Sequence, residues 1–277
     1  MNMSKSVKLN ALLEEAAGYY TAGDYRTALK KYQDLACQTG ITSYEEILED
    51  CHKKINPDYC VDNEYKVTVI IPTYNSAKYI ERAINSVLIQ THKEVEIICF
   101  DDGSTDETRA LIHALRHEHK NIKIMYDRQN FGHGQRRNQA LAVARGEYVT
   151  FLDSDDYFDN KYYFEIFYDE CVKNGYDIIV APYMRIRSEK IVKDRFPDAI
   201  YDGKTAAQKF ISCVFGPHAP GAKFYRRSIA ENCYFVEYGY SQEVIFIFNA
   251  MLMAKSVKVN SNMDMFILMI MSPASVQ

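Results

Sequence analysis

Three stretches of this chain repeat one arrangement: a run that is apolar at all but one position and breaks directly into a short polar loop. VTVII (67–71) runs into PTYNS, VEIICF (95–100) into DDGSTDE, and YVTFL (148–152) into DSDD. A run so nearly continuous in apolar residues belongs to a strand buried on both faces, as in a parallel sheet covered by helices. The intervening segments supply those helices: amphipathic patterns cover residues 77–89, 104–117 and 135–144, and NIKIMY (121–126) reads as a further strand. Ser104 and Glu107 have the spacing of a capping box for the second helix. Strand–helix alternation through short connections restricts the fold to α/β, a doubly wound, mostly parallel sheet. Ligands of such sheets bind at the carboxyl ends of the strands, and all three polar loops sit there.

The loop at 153–156, Asp-Ser-Asp-Asp, is the most acidic. Carboxylates this close repel one another unless a cation sits between them. Oxygen ligands of this kind suit a hard divalent ion, Mg²⁺ or Mn²⁺, shared with substrate phosphates. The same residues also read as an acidic turn capping the next helix. No G-x-G-x-x-G follows the first strand and no G-x-x-x-x-G-K-[ST] occurs, which argues against a dinucleotide dehydrogenase or a P-loop NTPase. Phosphate must be held by another route, and a cation on the aspartates supplies one.

Outside this core the signals are coarser. Residues 8–37 show two helical patterns broken by Ala-Gly-Asp at 22–24, an αα-hairpin that resembles a single tetratricopeptide repeat. One such unit cannot bury its own apolar face, which leaves the following domain, a membrane-peripheral complex, or a second copy in a homo-oligomer as what it packs on. A third helix is expected over 43–54 and a linker over 55–66, which divides the chain into a helical extension (1–63) and an α/β domain (64–277). Further on, helices are expected over 160–173 and 204–215, a strand over 176–183, and a charged, variable loop over 188–203. Seven cysteines without a C-x-x-C pair point to reduced thiols and a cytoplasmic setting. A formal net charge of −4 gives no nucleic-acid footprint. The N-terminus lacks the apolar run of a signal peptide, and MFILMIM (265–271) is too short to span a bilayer.

The segments VTVIIPTYNSAKYIERAINSVLIQTHKEVEIICFDDGSTDET and GHGQRRNQALAVARGEYVTFLDSDD together resemble a family 2 glycosyltransferase with the GT-A fold, of the bacterial polysaccharide or capsule type. The resemblance implies inverting, metal-dependent transfer of a hexosyl or N-acetylhexosaminyl group from a UDP-sugar donor to a glycan acceptor. It implies that Pro72, Thr73, Tyr74 and Asn75 form the base-binding loop, with Tyr74 stacked on uracil, and that Asp102 accepts the uracil N3–H while Asp101 faces backbone or a helix start. In the DxD motif, Asp153-Ser154-Asp155, Asp155 becomes the main metal ligand, Asp153 binds ribose or metal, and Asp156 lies further out. Arg136 and Arg137 fall in the family's A-R-N segment; Arg137 is expected to reach the diphosphate and Arg136 to be a solvated surface charge. Gly132 and Gly134 allow close backbone approach at this helix start, and His133 between them reads as structural.

In the C-terminal half, Lys223, Arg226 and Arg227 are expected to hold donor or acceptor charge, with a surface strand edge as the alternative for the two arginines. Relatives place Glu-Asp at the start of a late helix; here the pair is Gln242-Glu243, which makes Glu243 the expected base, one methylene longer than the family's aspartate. That departure leaves open a non-catalytic, nucleotide-sugar-binding subunit of a polysaccharide-synthesis complex. The same resemblance covers a final strand and the serine-containing SPAS loop at 272–275.

Overall fold

A computed structural model describes residues 3–39, 47, 51, 54, 65–187, 190–194, 196–214, 219–236, 242–260 and 267–270. It divides into two compact units, Met1–Glu64 and Tyr65–Gln277.

In the first unit, α1 (Met3–Thr21) and α2 (Tyr25–Thr39) form the expected hairpin. The turn between them uses Gly23, and the Asp24 carboxylate accepts the backbone N–H of Thr27 to start α2. Ala16, Ala28, Tyr32, Leu35 and Cys51 make a small apolar core. Ile47, Cys51 and Lys54 are helical; the rest of the third helix expected over 43–54, and the linker over 55–64, lie outside the described residues.

The second unit runs in chain order through β1 (Val67–Thr73), α3 (Ile80–Leu88), β2 (Val95–Asp102), α4 (Thr108–Glu118), β3 (Ile122–Asp127), α5 (His133–Leu141), β4 (Tyr148–Phe151) and β5 (Tyr157–Phe158). It continues through α6 (Tyr163–Asn174), β6 (Ile178–Val180), β7 (Tyr183–Arg187), β8 (Lys190–Asp194), β9 (Ala199–Tyr201), α7 (Gly203–Ile211) and β10 (Lys223–Arg226). Last come α8 (Arg227–Ala230), α9 (Gln242–Met253), β11 (Val257–Val259) and β12 (Ile267–Ile270).

The large sheet has the order β3-β2-β1-β4-β10-β6-β11-β9, and all its strands run parallel except β10 and β9. Every residue of β1 and β2 is buried. Val67, Val69 and Ile71 pack against Ile80, Ile84 and Val87 of α3 on one face, while Ile70 and Ile98 join Ala140 and Leu141 of α5 on the other. The period of two along each strand thus fills both cores, and each aliphatic side chain so buried contributes about 1.5–3 kcal/mol. Gly146 fixes where β4 begins: a Cβ there would fall 2.5 Å from the Thr68 backbone nitrogen, so only glycine lets this turn lie against β1.

The order in which successive strands are added reverses at β1. The strands β2 and β3 add on one side of it and β4 on the other. A crevice therefore opens beyond the carboxyl ends of β1 and β4, the switch point at which open α/β sheets bind ligands.

Several expectations need correcting. The expected loop at 188–203 holds β8, which pairs antiparallel with the preceding β7, and β9, which edges the large sheet. β12 adds to that hairpin on one side and to β5 on the other, giving a second sheet of order β5-β12-β7-β8. The strand expected over 176–183 is two strands, β6 and β7, belonging to different sheets. Lys223 to Arg226 lie in an interior strand, not at an edge, because β10 inserts between β4 and β6. The capping box does not form: α4 starts at Thr108, whose backbone N–H and hydroxyl both donate to Asp106, while the Ser104 hydroxyl accepts from Asn75. The SPAS loop lies outside the described residues.

Candidate active site

The loops after β1, β2 and β4 are bonded into one floor. Asn75 adopts φ 48°, a left-handed conformation that asparagine tolerates. From there its N–H donates to the Ser104 hydroxyl at 2.9 Å, and its side-chain oxygen accepts the Thr105 N–H at 2.9 Å. The Ser76 N–H donates to Thr108 Oγ1 at 2.7 Å, and its hydroxyl shares a 2.6 Å hydrogen bond with Ser154. Above this floor lies a cleft of about 290 Å³. Pro72, Thr73 and Tyr74 come to it from β1 and its loop, and Asp102 from β2. Asn130, Gly132, His133 and Arg137 line it from the start of α5, Asp153, Ser154 and Asp155 from the loop after β4, and Glu243 from the first turn of α9.

Every expected site residue but Asn75 therefore reaches one cavity; Asn75 works beneath it, tying two loops together. Tyr74 is 48% exposed, a free aromatic face at the rim. Ser154 lines the cleft with its hydroxyl already engaged by Ser76. Asp101 does face a helix: it accepts the Ser104 N–H and pairs with Arg109 of α4 at 2.6 Å. Asp156 is buried, donates its N–H to the Asp153 carbonyl, and does not line the cleft.

The two adjacent arginines part company. Successive helical residues point about 100° apart, so Arg136 and Arg137 serve opposite walls. Arg136 is not a solvated surface charge. It is fully buried, with Nε 2.5 Å from Asp102 Oδ1. Arg137 donates from Nη2 to Asp153 Oδ1 at 2.6 Å and from Nη1 to Glu243 Oε1 at 2.9 Å, over the ring of Phe235. Burial opposes its charge, but the two carboxylates more than compensate and raise its pKa. Its Nε is buried without a hydrogen-bond partner.

Glu243 also meets His133 Nε2 at 3.4 Å. Burial alone would push this carboxyl up; the contact with His133 and the Arg137 charge outweigh it and hold the group down, at about 2. His133, read from the sequence as structural, is 59% exposed within the cleft. Its position just after the glycine at φ 89° that opens α5 was the available signal.

Asp155 behaves in the opposite sense. Burial, then the neighbouring Asp153 charge, raise its pKa. Among the described residues no cation pairs with its carboxylate; Arg82 bonds only its backbone oxygen, at 2.7 Å. Also among the described residues, no three His, Cys, Asp or Glu side chains cluster closely enough to hold a metal alone. Two neighbouring carboxylates, one of them outside any ion pair, would suit a hard divalent ion that took its remaining ligands from phosphate oxygens and water.

The other basic candidates do not line the cleft. Lys223 is buried, donates to the Ala219 carbonyl at 2.8 Å, and is pushed down to about 7 by desolvation. Arg226 pairs with Asp177 at 2.8 Å, and Arg227 bonds the Gly146 carbonyl and Glu231, so both brace the strand ends.

An eight-stranded mixed sheet flanked by helices, with three loops meeting at its switch point, defines a GT-A-like nucleotide-binding fold. The family model "Glycosyl transferase family 2" matches residues 68–233, and the chain belongs to that family. Among its relatives, poly(ribitol-phosphate) beta-glucosyltransferase of Bacillus spizizenii is 28% identical over 73% of this chain and 32% of its own length. The putative teichuronic acid biosynthesis glycosyltransferase TuaG of Bacillus subtilis is 46% identical over 32% of this chain and 36% of its own. The crystal structure of S. aureus TarS 1-349 in complex with UDP-GlcNAc superposes with a TM-score of 0.64 at 28% identity, over 75% of this chain and 59% of that one. The chain thus spans about a third of the length of these two curated relatives. Among the described residues no helix is long and apolar enough to cross a membrane.

Proposed function

We propose that the chain transfers a sugar, with inversion, from a UDP-sugar to a glycan or polysaccharide acceptor, assisted by Mn²⁺ or Mg²⁺. The observation that carries this is the meeting of Asp153, Asp155, Arg137 and Glu243 in one cleft with the open ring of Tyr74 at its rim. The solved relative's complex with UDP-GlcNAc supports the donor class. The relatives' names, which refer to poly(ribitol-phosphate) and teichuronic acid, support a polymer acceptor.

Tyr74 stacks on the nucleobase, where an aromatic face offers about 1–3 kcal/mol, and Asp102 accepts the base N–H. Asp155, with Asp153 beside it, would hold the divalent ion, which would supply charge neutralisation for the departing nucleoside diphosphate. Arg137, with a buried donor to spare, turns toward the same phosphates. Drawing Arg137 toward phosphate loosens its bond to Glu243 and returns basicity to that carboxylate. Glu243 then takes the acceptor hydroxyl's proton as the acceptor oxygen bonds to the anomeric carbon. The bond from that carbon to the diphosphate breaks on the opposite face, which inverts the centre.

The test is UDP release with Mn²⁺ and a panel of UDP-sugars. Turnover that falls in Asp155→Ala and stops on chelation is expected. Donor affinity that is undetectable, or identical in wild type and Asp155→Ala, overturns it. The engagement of Glu243 by Arg137 and His133 favours one second function, a binding subunit without turnover. Donor binding without UDP release, unchanged by Glu243→Gln, would establish that instead.

A further inference from the structure

Arg136 is a fully buried cation at the nucleobase end of the cleft, and nothing in the transfer step just described uses it. Its guanidinium lies between the rings of Phe100 and Phe131, 4.8 and 4.9 Å from their centroids. The fork is fully committed: Nε to Asp102 at 2.5 Å, Nη1 to Gln139 at 2.6 Å, and Nη2 to the Gln129 carbonyl at 2.9 Å. Asp102 is equally committed. Its Oδ1 accepts both Arg136 and the Phe131 N–H, and its Oδ2 accepts the Gly132 N–H at 2.8 Å.

An ionised carboxylate has about four acceptor positions. Three are taken here, and the one left is on Oδ2 of a side chain that lines the cleft beside Tyr74. Such a wall satisfies a base edge with one ring N–H, as in uracil. It cannot satisfy guanine, whose ring N–H and adjacent amino group need both oxygens of a carboxylate at once. With Arg136 held by two rings and three acceptors, Asp102 cannot rotate to offer that second oxygen.

We propose that Arg136 is a specificity-determining residue: by locking Asp102 with a single acceptor position open, it restricts the cleft to nucleotides whose base presents one ring N–H. This rests on the nucleotide-donor function proposed above. Because Arg136 acts through Asp102, it is a positioning residue, and the diagnostic readout is a ratio of affinities.

The test is calorimetric titration of the full chain with UDP and with GDP in Mn²⁺, alongside a thermal melt. Wild type should prefer UDP by at least about tenfold, since a polar site left unpaired by the wrong ligand rejects it strongly. Arg136→Ala should lose UDP affinity and narrow the UDP-to-GDP ratio about tenfold. Should Arg136→Ala fail to fold, Arg136→Lys carries the test: it keeps the charge beside Asp102, loses the planar fork, and should narrow the ratio by a smaller factor. An unchanged ratio in the folded variants, whatever happens to the melting temperature, overturns the proposal and leaves Arg136 a packing residue. Wild type that binds UDP and GDP equally also overturns it, with the donor function intact. Wild type that binds neither nucleotide overturns both.

Discussion

The two ends of the cleft are built on opposite electrostatic plans. At the β2 end, Asp102 and Arg136 are buried and paired, and their hydrogen bonds close on one another and on the 129–132 backbone. At the β4 end, Asp153 and Glu243 share one buried arginine, and the Asp155 carboxylate forms no ion pair among the described residues. The first end is complete without a ligand, which suits recognition by a fixed shape. The second is over-supplied with negative charge, which suits a ligand that brings a cation and phosphates. One helical step separates the residues responsible, Arg136 and Arg137, so α5 reads two functions from adjacent positions.

If this contrast is right, removing charge from the β4 end should cost catalysis more than binding. Glu243→Gln should lower kcat by about 10²–10⁴-fold while donor affinity stays nearly constant, since only proton acceptance is removed. A proportional loss of donor affinity, measured by titration, would merge the two ends into one. Asp155→Asn should reduce kcat/KM by about a hundredfold and remove most of the dependence on added Mn²⁺, measured by metal titration of the initial rate.

Breaking the floor should have a smaller effect. Ser154→Ala removes the hydroxyl bond to Ser76 and should raise the donor KM about threefold with kcat retained. The smallest effect is on stability in acid. Glu243 is held below its ordinary 4.5, to about 2, so its contribution is complete above 4.5 and is lost as pH falls through about 2. Denaturant titrations across that window should show a slope in wild type that Glu243→Gln lacks.

Much of this was legible in the sequence, for identifiable reasons. Strands apolar at all but one position read as central strands, and a loop after such a strand lies at its end, so PTYN, DDGS and DSDD were expected to meet. Residues whose roles depend on a neighbour from elsewhere in the chain were not legible. Arg136 read as a surface charge because arginine usually is one; yet Ala140, one turn further along α5, lies on the same buried face. Asn75 read as a ligand contact and proved to be a brace, because its partners, Ser104 and Thr105, are thirty residues away. The hairpin of β7 and β8 was hidden by charge: RIR and KIVKD keep a strand's alternation, but lysines and arginines conceal it from a search for apolar runs.

The hydroxyl bond between Ser76 and Ser154 makes the loop after β1 and the loop after β4 move as one body. A nucleotide settling against Tyr74 would thus shift the aspartates as well, and the order in which ligands arrive would become a mechanical property of the floor. Whichever of nucleotide or cation landed first would hand the other a surface already at its final spacing.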